Sequence, residues 1–370
     1  MTTTNKPKIP IAAVDREYAA LRDKVVPAAT SVLESTKFIL GPEVTAFEAE
    51  VGKYLGGVHA VGCANGTDAL VLALRALDIG PGDEVIVPAF TFAATAEAVV
   101  LAGATPVFAD IEPDTFAIDP RSAASLIGPR TRALLPVHLF GQCARMEPLA
   151  ALAEKASLRI VEDAAQAIGA RWRGKAAGAL GHVAAFSFYP TKNLGAPGDG
   201  GMVTTADASV ADRLRVLRAH GSRQAYVHET IGYNSRLDEI HAAVLRVKLP
   251  LLDGWNDTRR ATADRYRAAI AKGRGIVAPV EIDGAHHVYH HFTVRAAART
   301  ELVARLGAEG IGAAVYYPKA LHEQPAYAQW SRGTLPEAER AAAEVLSLPV
   351  HPWLSEDEIA RVVAVLASAS

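Results

Sequence analysis

From residue 58 to about residue 250, short apolar runs alternate with stretches of helical period, and this rhythm constrains the fold more than any other feature. The apolar runs are VHAVGCA (58–64), DEVIVPAF (83–90), TPVFADI (105–111), RALLPVHLF (132–140), RIVEDA (159–164), HVAAFSF (182–188) and GGMVTT (200–205). Between them, TDALVLALRALDIG places Leu70, Leu74 and Leu77 at helical spacing and predicts a helix ending on Gly80. EPLAALAEKASL predicts another crossover helix. Strands alternating with helices imply an α/β fold, with a mostly parallel sheet covered on both faces.

The rhythm changes near Pro250. LPLLDGWNDTRRATADRYRAAIAK predicts a long helix, broken or kinked near its start by Gly254. Beyond it, HHFTVRA reads as a strand and TELVARLGAEGIGAAVYY as helix, turn and strand. Ser355 followed by Glu358 forms a capping-box pattern ahead of a last amphipathic helix. Residues 1–250 are therefore assigned to an N-terminal arm and a large α/β domain, and residues 251–370 to a smaller α+β domain. Within the first part, residues 1–40 are expected to be an arm and helix lying across the large domain.

Composition excludes several classes of function. A formal net charge of -2 over 370 residues gives no general attraction to nucleic acid or anionic membrane. No apolar run approaches the roughly 18–20 residues a spanning helix needs. Cys63 and Cys143 form no paired pattern, which fits a reducing compartment. The opening MTTTNKPKIP lacks the apolar core of a signal peptide, so a cytoplasmic location is expected.

Three segments carry candidate chemistry. In NGTDAL (65–70) a strand gives way at once to a helix, whose free N–H groups and dipole suit a phosphate. Gly66 permits close approach and Thr67 adds a hydroxyl, although plain helix capping explains the same residues. In VEDAAQ (161–166), Asp163 ends an apolar strand, where a carboxylate is costly unless it meets a cation. A pyridinium nitrogen is one such partner, with Gln166 placed to bond a neighbouring ring substituent; an arginine or a helix cap is another. In FSFYPTKNLGAPGDGGMVTT (186–205), Lys192 follows a strand and precedes a glycine-rich turn. Ser187 lies five residues upstream as a possible phosphate ligand. A solvated surface lysine is the ordinary alternative.

GTDAL, PAFTFAATAEAV, VEDAAQAIGA, FSFYPTKNLGAPGDGGM and GYNSRLDEIHAAV together resemble one family in order and spacing. From about residue 8 to the C-terminus the chain is similar to the DegT/DnrJ/EryC1/StrS sugar aminotransferases, which are fold-type I pyridoxal phosphate enzymes. The resemblance implies that Lys192 forms the Schiff base with pyridoxal 5'-phosphate. It pairs Asp163 with the pyridine nitrogen, sets Gln166 near the ring hydroxyl and stacks Phe92 on the ring. Gly66, Thr67 and Ser187 match the phosphate cradle. Asn234 matches an asparagine that reaches the phosphate from a neighbouring subunit, which implies a homodimer with shared active sites.

The implied reaction moves an amino group from glutamate to a nucleotide-linked keto-sugar, with Lys192 as general acid and base and with ping-pong kinetics. Arg236 is a candidate clamp for a carboxylate or phosphate. YYPKALHEQPAY (316–327) resembles the family's substrate loop, with Tyr317 and His322 as its candidate contacts. The LHEQPAY wording leans toward amination at the 3-position. HHVYHH offers His286, His287, His290 and His291, but it leads into a strand pattern where helical pairs do not converge, so no metal site is expected. Three rivals remain. One is a cyclitol aminotransferase acting on a keto-inositol. Another is a sugar dehydratase, disfavoured because such relatives carry histidine where Lys192 stands. The third is a non-catalytic sensor of the same fold.

Overall fold

All seven apolar runs become strands of one sheet in the computed structural model, which describes residues 7–271 and 273–368. The first six residues of MTTTNKPKIP lie outside that range. The strands are β1 (His59–Cys63), β2 (Glu84–Pro88), β3 (Thr105–Ala109), β4 (Thr131–Leu134), β5 (Arg159–Asp163), β6 (Val183–Ser187) and β7 (Gly201–Thr205). Their order is β1-β7-β6-β5-β4-β2-β3, and only β7 runs against its neighbours. Along β2, Val85 and Val87 join one apolar cluster and Ile86 the other. A sheet covered on both faces has no polar side to alternate with, which is why its strands read as unbroken apolar runs.

Helices α1 (Val14–Ser35), α2 (Pro42–Tyr54), α3 (Gly66–Ala76), α4 (Ala94–Leu101), α5 (Met146–Ala156) and α6 (Glu239–Lys248) belong to this layer. The predicted crossover helix over EPLAALAEKASL is α5. Helix α3 stops before Gly80. Asp78 takes the left-handed conformation (φ 59°), and the Ile79 N–H donates back to the Leu74 carbonyl at 3.0 Å. Aspartate tolerates that conformation better than most side chains, so it replaces the expected glycine as the terminator.

The break expected at Gly254 lies elsewhere. Helix α7 (Leu252–Ile270) runs straight through Gly254, and the interruption is a 3-10 turn at Leu249–Leu251. Pro250 lacks the N–H that would continue the ladder, whereas a glycine on a helix only weakens it. Beyond α7, β8 (Ile276–Val277), β9 (Phe292–Ala296) and β10 (Val345–Leu348) form an antiparallel sheet. Helices α8 (Arg299–Ala308), α9 (Pro336–Glu344) and α10 (Glu356–Ser368) accompany it. Tyr266, Phe292, Leu306, Leu346 and Val362 form its own apolar cluster. The expected strand in GAAVYY is reduced to single bridges at Ile311 and Ala314.

At the last helix the capping box is present. The Ser355 Oγ accepts from the Glu358 N–H at 3.2 Å, and the Glu358 carboxylate accepts from the Ser355 N–H at 2.9 Å. The N-terminal arm differs from expectation, because Ile9 pairs with residues 310–312 and is buried in the small sheet's cluster. Helix α1 lies on the large layer, where Leu21 and Val25 pack against Val244 of α6, and Ile39 bridges to Asp238 just before α6.

Glu239 ties the start of α2 to the start of α6. Its buried carboxylate accepts from the N–H groups of Gly41 (2.7 Å), Glu43 (2.9 Å) and Val44 (2.9 Å). These donors have no acceptor within their own helix. Glu239→Ala is expected to destabilise the fold by about 2 kcal/mol, read as a fall in thermal midpoint. Glu239→Gln should lose less, since it keeps one acceptor oxygen.

Candidate active site

The carboxyl ends of the parallel strands gather the chemistry. Strand β1 leads through Asn65 into α3, β5 ends at Asp163, and β6 ends at Ser187 with Lys192 just beyond. In open α/β sheets such ends, with helix N-termini close by, are the usual ligand face.

At the α3 end, the Asn65 side chain caps the helix by accepting from the Asp68 N–H at 2.8 Å. Helix geometry leaves the first-turn N–H groups of Gly66 and Thr67 without intrahelical acceptors. A Cβ placed on Gly66 would lie 2.7 Å from the Ser187 Cβ. Only glycine therefore lets the α3 N-terminus and Ser187 close on the same space. The cap expected as the ordinary reading is real, but it is made by Asn65 and leaves Gly66, Thr67 and Ser187 grouped.

Asp163 is buried, and its Oδ2 accepts from the Thr95 hydroxyl at 2.7 Å. Its Oδ1 accepts from the Ala165 N–H at 3.2 Å. Burial pushes the carboxyl above its ordinary range, opposed by these bonds and by the charges of Lys192 and His138. No arginine or lysine comes within ion-pair distance of it among the described residues. Lys192 is half-buried, and loss of water around its amine brings the pKa down to about 8, with Asp163 pulling the other way.

Gln166 is held at both ends. Its Oε1 accepts from the Phe140 N–H at 2.7 Å, and its Nε2 donates to the Tyr317 hydroxyl at 3.2 Å. The Tyr317 ring lies 5.9 Å from that of Phe92, which is 57% exposed. The 316–327 segment is fastened on either side of Phe92. The Leu321 N–H donates to the Ala89 carbonyl at 2.7 Å and the Tyr327 hydroxyl to the Ala93 carbonyl at 3.1 Å.

Phe92, Asp163, Gln166, Lys192 and Tyr317 thus share one linked cluster, and three other candidates stand apart from it. His322 is buried, with Nε2 and Oε1 of Glu339 on α9 3.1 Å apart. Asn234 is exposed and its Oδ1 accepts from Arg236 at 2.6 Å; neither side chain has a bond to the cluster. Between them, the Ser235 Oγ accepts from the Ala64 N–H at 3.2 Å, fixing this loop behind the α3 start.

Sequence reasoning missed Thr95, whose place four residues after Thr91 on the α4 approach was the available signal. It also missed Asn193 and the inward-facing part of HHVYHH. His287 stacks on Tyr289 at 3.9 Å, while His290 and His291 are buried deeply enough for their pKa values to fall well below the ordinary histidine value. Among the described residues no three His, Cys, Asp or Glu side chains group to hold a metal.

Comparison with known proteins agrees with this geometry. Residues 20–367 match the model of the DegT/DnrJ/EryC1/StrS aminotransferase family. The chain belongs to that family. It is 49% identical to a UDP-N-acetyl-3-dehydro-alpha-D-glucosamine 3-aminotransferase of Acidithiobacillus ferrooxidans, over 98% of each chain. It is also 48% identical to a pleiotropic regulatory protein of Geobacillus stearothermophilus, over 97% of this chain and 98% of that one. The crystal structure of Streptomyces venezuelae DesV in complex with a ketimine intermediate superposes with a TM-score of 0.95, at 50% identity over 98% of each chain.

The protein is accordingly an aminotransferase with pyridoxal phosphate as its cofactor. The residues present fit that group. There is a space at the α3 N-terminus that a Cβ on Gly66 would fill, a buried carboxylate with no lysine or arginine at ion-pair distance among the described residues, an exposed aromatic face and an amine of lowered pKa. Thr95→Val should push the Asp163 carboxyl further up and weaken pyridoxal phosphate binding. The expected cost is about 1–2 kcal/mol, roughly tenfold in Kd, measured by absorbance titration.

Proposed function

We propose that this aminotransferase transfers an amino group from glutamate to a nucleotide-linked keto-sugar, at a 3-keto position, with the two substrates using one site in turn. The observation that carries the reading is the facing pair of Asp163 and Lys192 at the strand ends, beside the Gly66, Thr67 and Ser187 cradle. Nucleotide sugar and the 3-position are supported by the name of the Acidithiobacillus relative and by the LHEQPAY wording. Pyridoxal phosphate, when bound, supplies an electron sink that makes the donor's α-proton removable and stores the amino group between half-reactions.

This chain's own groups do the rest. Lys192 Nζ, with its lowered pKa, takes up and returns the proton near neutral pH. Asp163 would hold a positive ring nitrogen of the bound cofactor, and Gln166, already fixed by Phe140 and Tyr317, would meet the ring's polar edge. Phe92 would cover the cofactor's flat face, while Gly66, Thr67 and Ser187 would hold its phosphate. Exposed Asn234 and half-buried Arg236, on one loop, are assigned to a neighbouring subunit's site, which makes the working unit a homodimer. Tyr317 and, less directly, His322 shape the sugar side, and residues 1–250 and 251–370 act as the large and small domains. No helix among the described residues is long and apolar enough to cross a membrane, and the cytoplasm is the proposed location.

The name of the Geobacillus relative favours a regulatory protein as the second reading. Retention of Lys192 with its lowered pKa argues for catalysis. The deciding test is an absorbance titration of the protein with pyridoxal phosphate and then glutamate. The cofactor's visible band should shift with glutamate, be absent in Lys192→Ala and return on adding a UDP-linked 3-keto-sugar. Return with a keto-inositol instead would give the cyclitol reading, and indifference to every amino donor would give the regulatory one.

A pH dependence follows from the lysine. Burial disfavours the charged amine, so the neutral, reactive form grows as pH rises through about 8. The rate at which the cofactor-free chain captures pyridoxal phosphate should rise through that same value.

A further inference from the structure

Asn193, the residue next to Lys192, sits in a buried hydrogen-bond chain whose donors and acceptors can be assigned from its ends. The Asn256 Nδ2 donates to the Ile168 carbonyl at 3.3 Å, so the Asn256 Oδ1 is left to accept, and it takes a bond from the Asn193 Nδ2 at 2.8 Å. The same Nδ2 donates to the Val288 carbonyl at 3.2 Å. Backbone carbonyls only accept, so both amides are oriented without ambiguity. The Asn193 Oδ1 must then be an acceptor, and the group facing it at 3.1 Å is His290 Nδ1. His290 therefore carries its proton on Nδ1 and donates it to Asn193, leaving Nε2 with the lone pair.

All three side chains are at least nine-tenths buried, where an unmade hydrogen bond is costly. The chain joins four separate segments: the one after Asp163 and Gln166 (through Ile168), α7 (through Asn256), the lysine loop, and the HHVYHH stretch. The His291 ring lies 4.1 Å from that of His290 and stacks on Tyr316 at 4.5 Å, closing the same wall.

We propose that the bond from His290 to Asn193 holds Lys192 in place, which makes His290 a positioning residue for the reactive amine. The inference rests on the reading of Lys192 as that amine. Charged and titratable groups facing the lysine are Asp163 from β5 and the two imidazoles, with Arg259 of α7 beyond them. Burial and the neighbouring cations keep both imidazoles neutral, so this wall orients the amine without adding charge.

The test uses the full-length chain before cofactor is added. Acylation of Lys192 is followed by mass spectrometry across a pH series, beside a thermal melt. In the parent protein the half-point should lie near 8. His290→Asn keeps a donor close to the Nδ1 position and should hold that half-point. His290→Leu lacks the donor and releases the amine toward water, so its half-point should rise by about one unit, roughly tenfold less neutral amine at a given pH.

An unchanged half-point in His290→Leu, with only a lower melting temperature, would overturn the proposal by making the bond purely structural. A fall in the half-point would overturn it too, since it would mean a drier pocket and no release. Should His290→Leu fail to fold, His290→Gln, which displaces the donor by one methylene, is read by the same criterion. A parent Lys192 acylated like a surface lysine would instead sink the reading of Lys192 itself.

Discussion

The Asp163 carboxylate is the constraint on which the rest of the site depends. It stands at the end of β5, buried, with two hydrogen-bond donors and, among the described residues, no lysine or arginine at ion-pair distance. A carboxylate so placed is driven toward its neutral form, and the lysine across the site is driven toward its neutral amine by the same loss of water. Each group's charge also favours the charge on the other. The two form a pair that a modest change of surroundings can tip, which suits groups that must hold and move protons. The sheet supplies the rigidity: Asp163 and Ala185 are register partners on β5 and β6, so the strand carrying Asp163 is bonded directly to the one leading to Lys192.

The strands were legible because burial on both faces leaves no polar alternation, and the seven runs emerged as the seven strands of the large sheet. Their ends were less legible. RALLPVHLF stops as a strand at Leu134: the Leu135 N–H still bonds Ile86 of β2, but Pro136 has no N–H to continue the ladder, and after its bonds with Asp163 the chain enters a 3-10 turn at Leu139–Gly141. The helix break was misplaced for a similar reason. Glycine and proline both discourage helices, but only Pro250 removes a donor, and the packing of α7 outweighs the small cost of Gly254.

Within the site, legibility followed distance along the chain. Gly66, Asp163 and Lys192 each sit where one strand ends, so a local pattern locates them. The Gln166 bond to Tyr317 spans 151 positions, and the His290 bond to Asn193 spans 97. No periodicity encodes such meetings. His322 shows the converse, for a residue in a family-like loop is turned inward and held by Glu339 on α9, a contact equally invisible in the local pattern.

These long-range bonds also set the place of the histidine-rich stretch in the fold. A ligand histidine needs a free lone pair converging with others on one point. Here Nδ1 of His290 donates to Asn193, Nδ1 of His287 accepts from the Tyr289 N–H, His291 stacks on Tyr316, and among the described residues no three His, Cys, Asp or Glu side chains converge. The four histidines are spread along a non-helical segment that bends before β9, with Tyr289 in the left-handed region (φ 45°), so their side chains leave it in different directions. The same geometry gives the two inner rings their place beside Lys192. Large and small sheets meet there, and the wall facing the amine exists only when residues 288–291 and 316–317 pack against the strand ends carrying Gln166 and Asn193. The reactive amine is thereby a product of the assembled fold, with its local sequence supplying only the lysine.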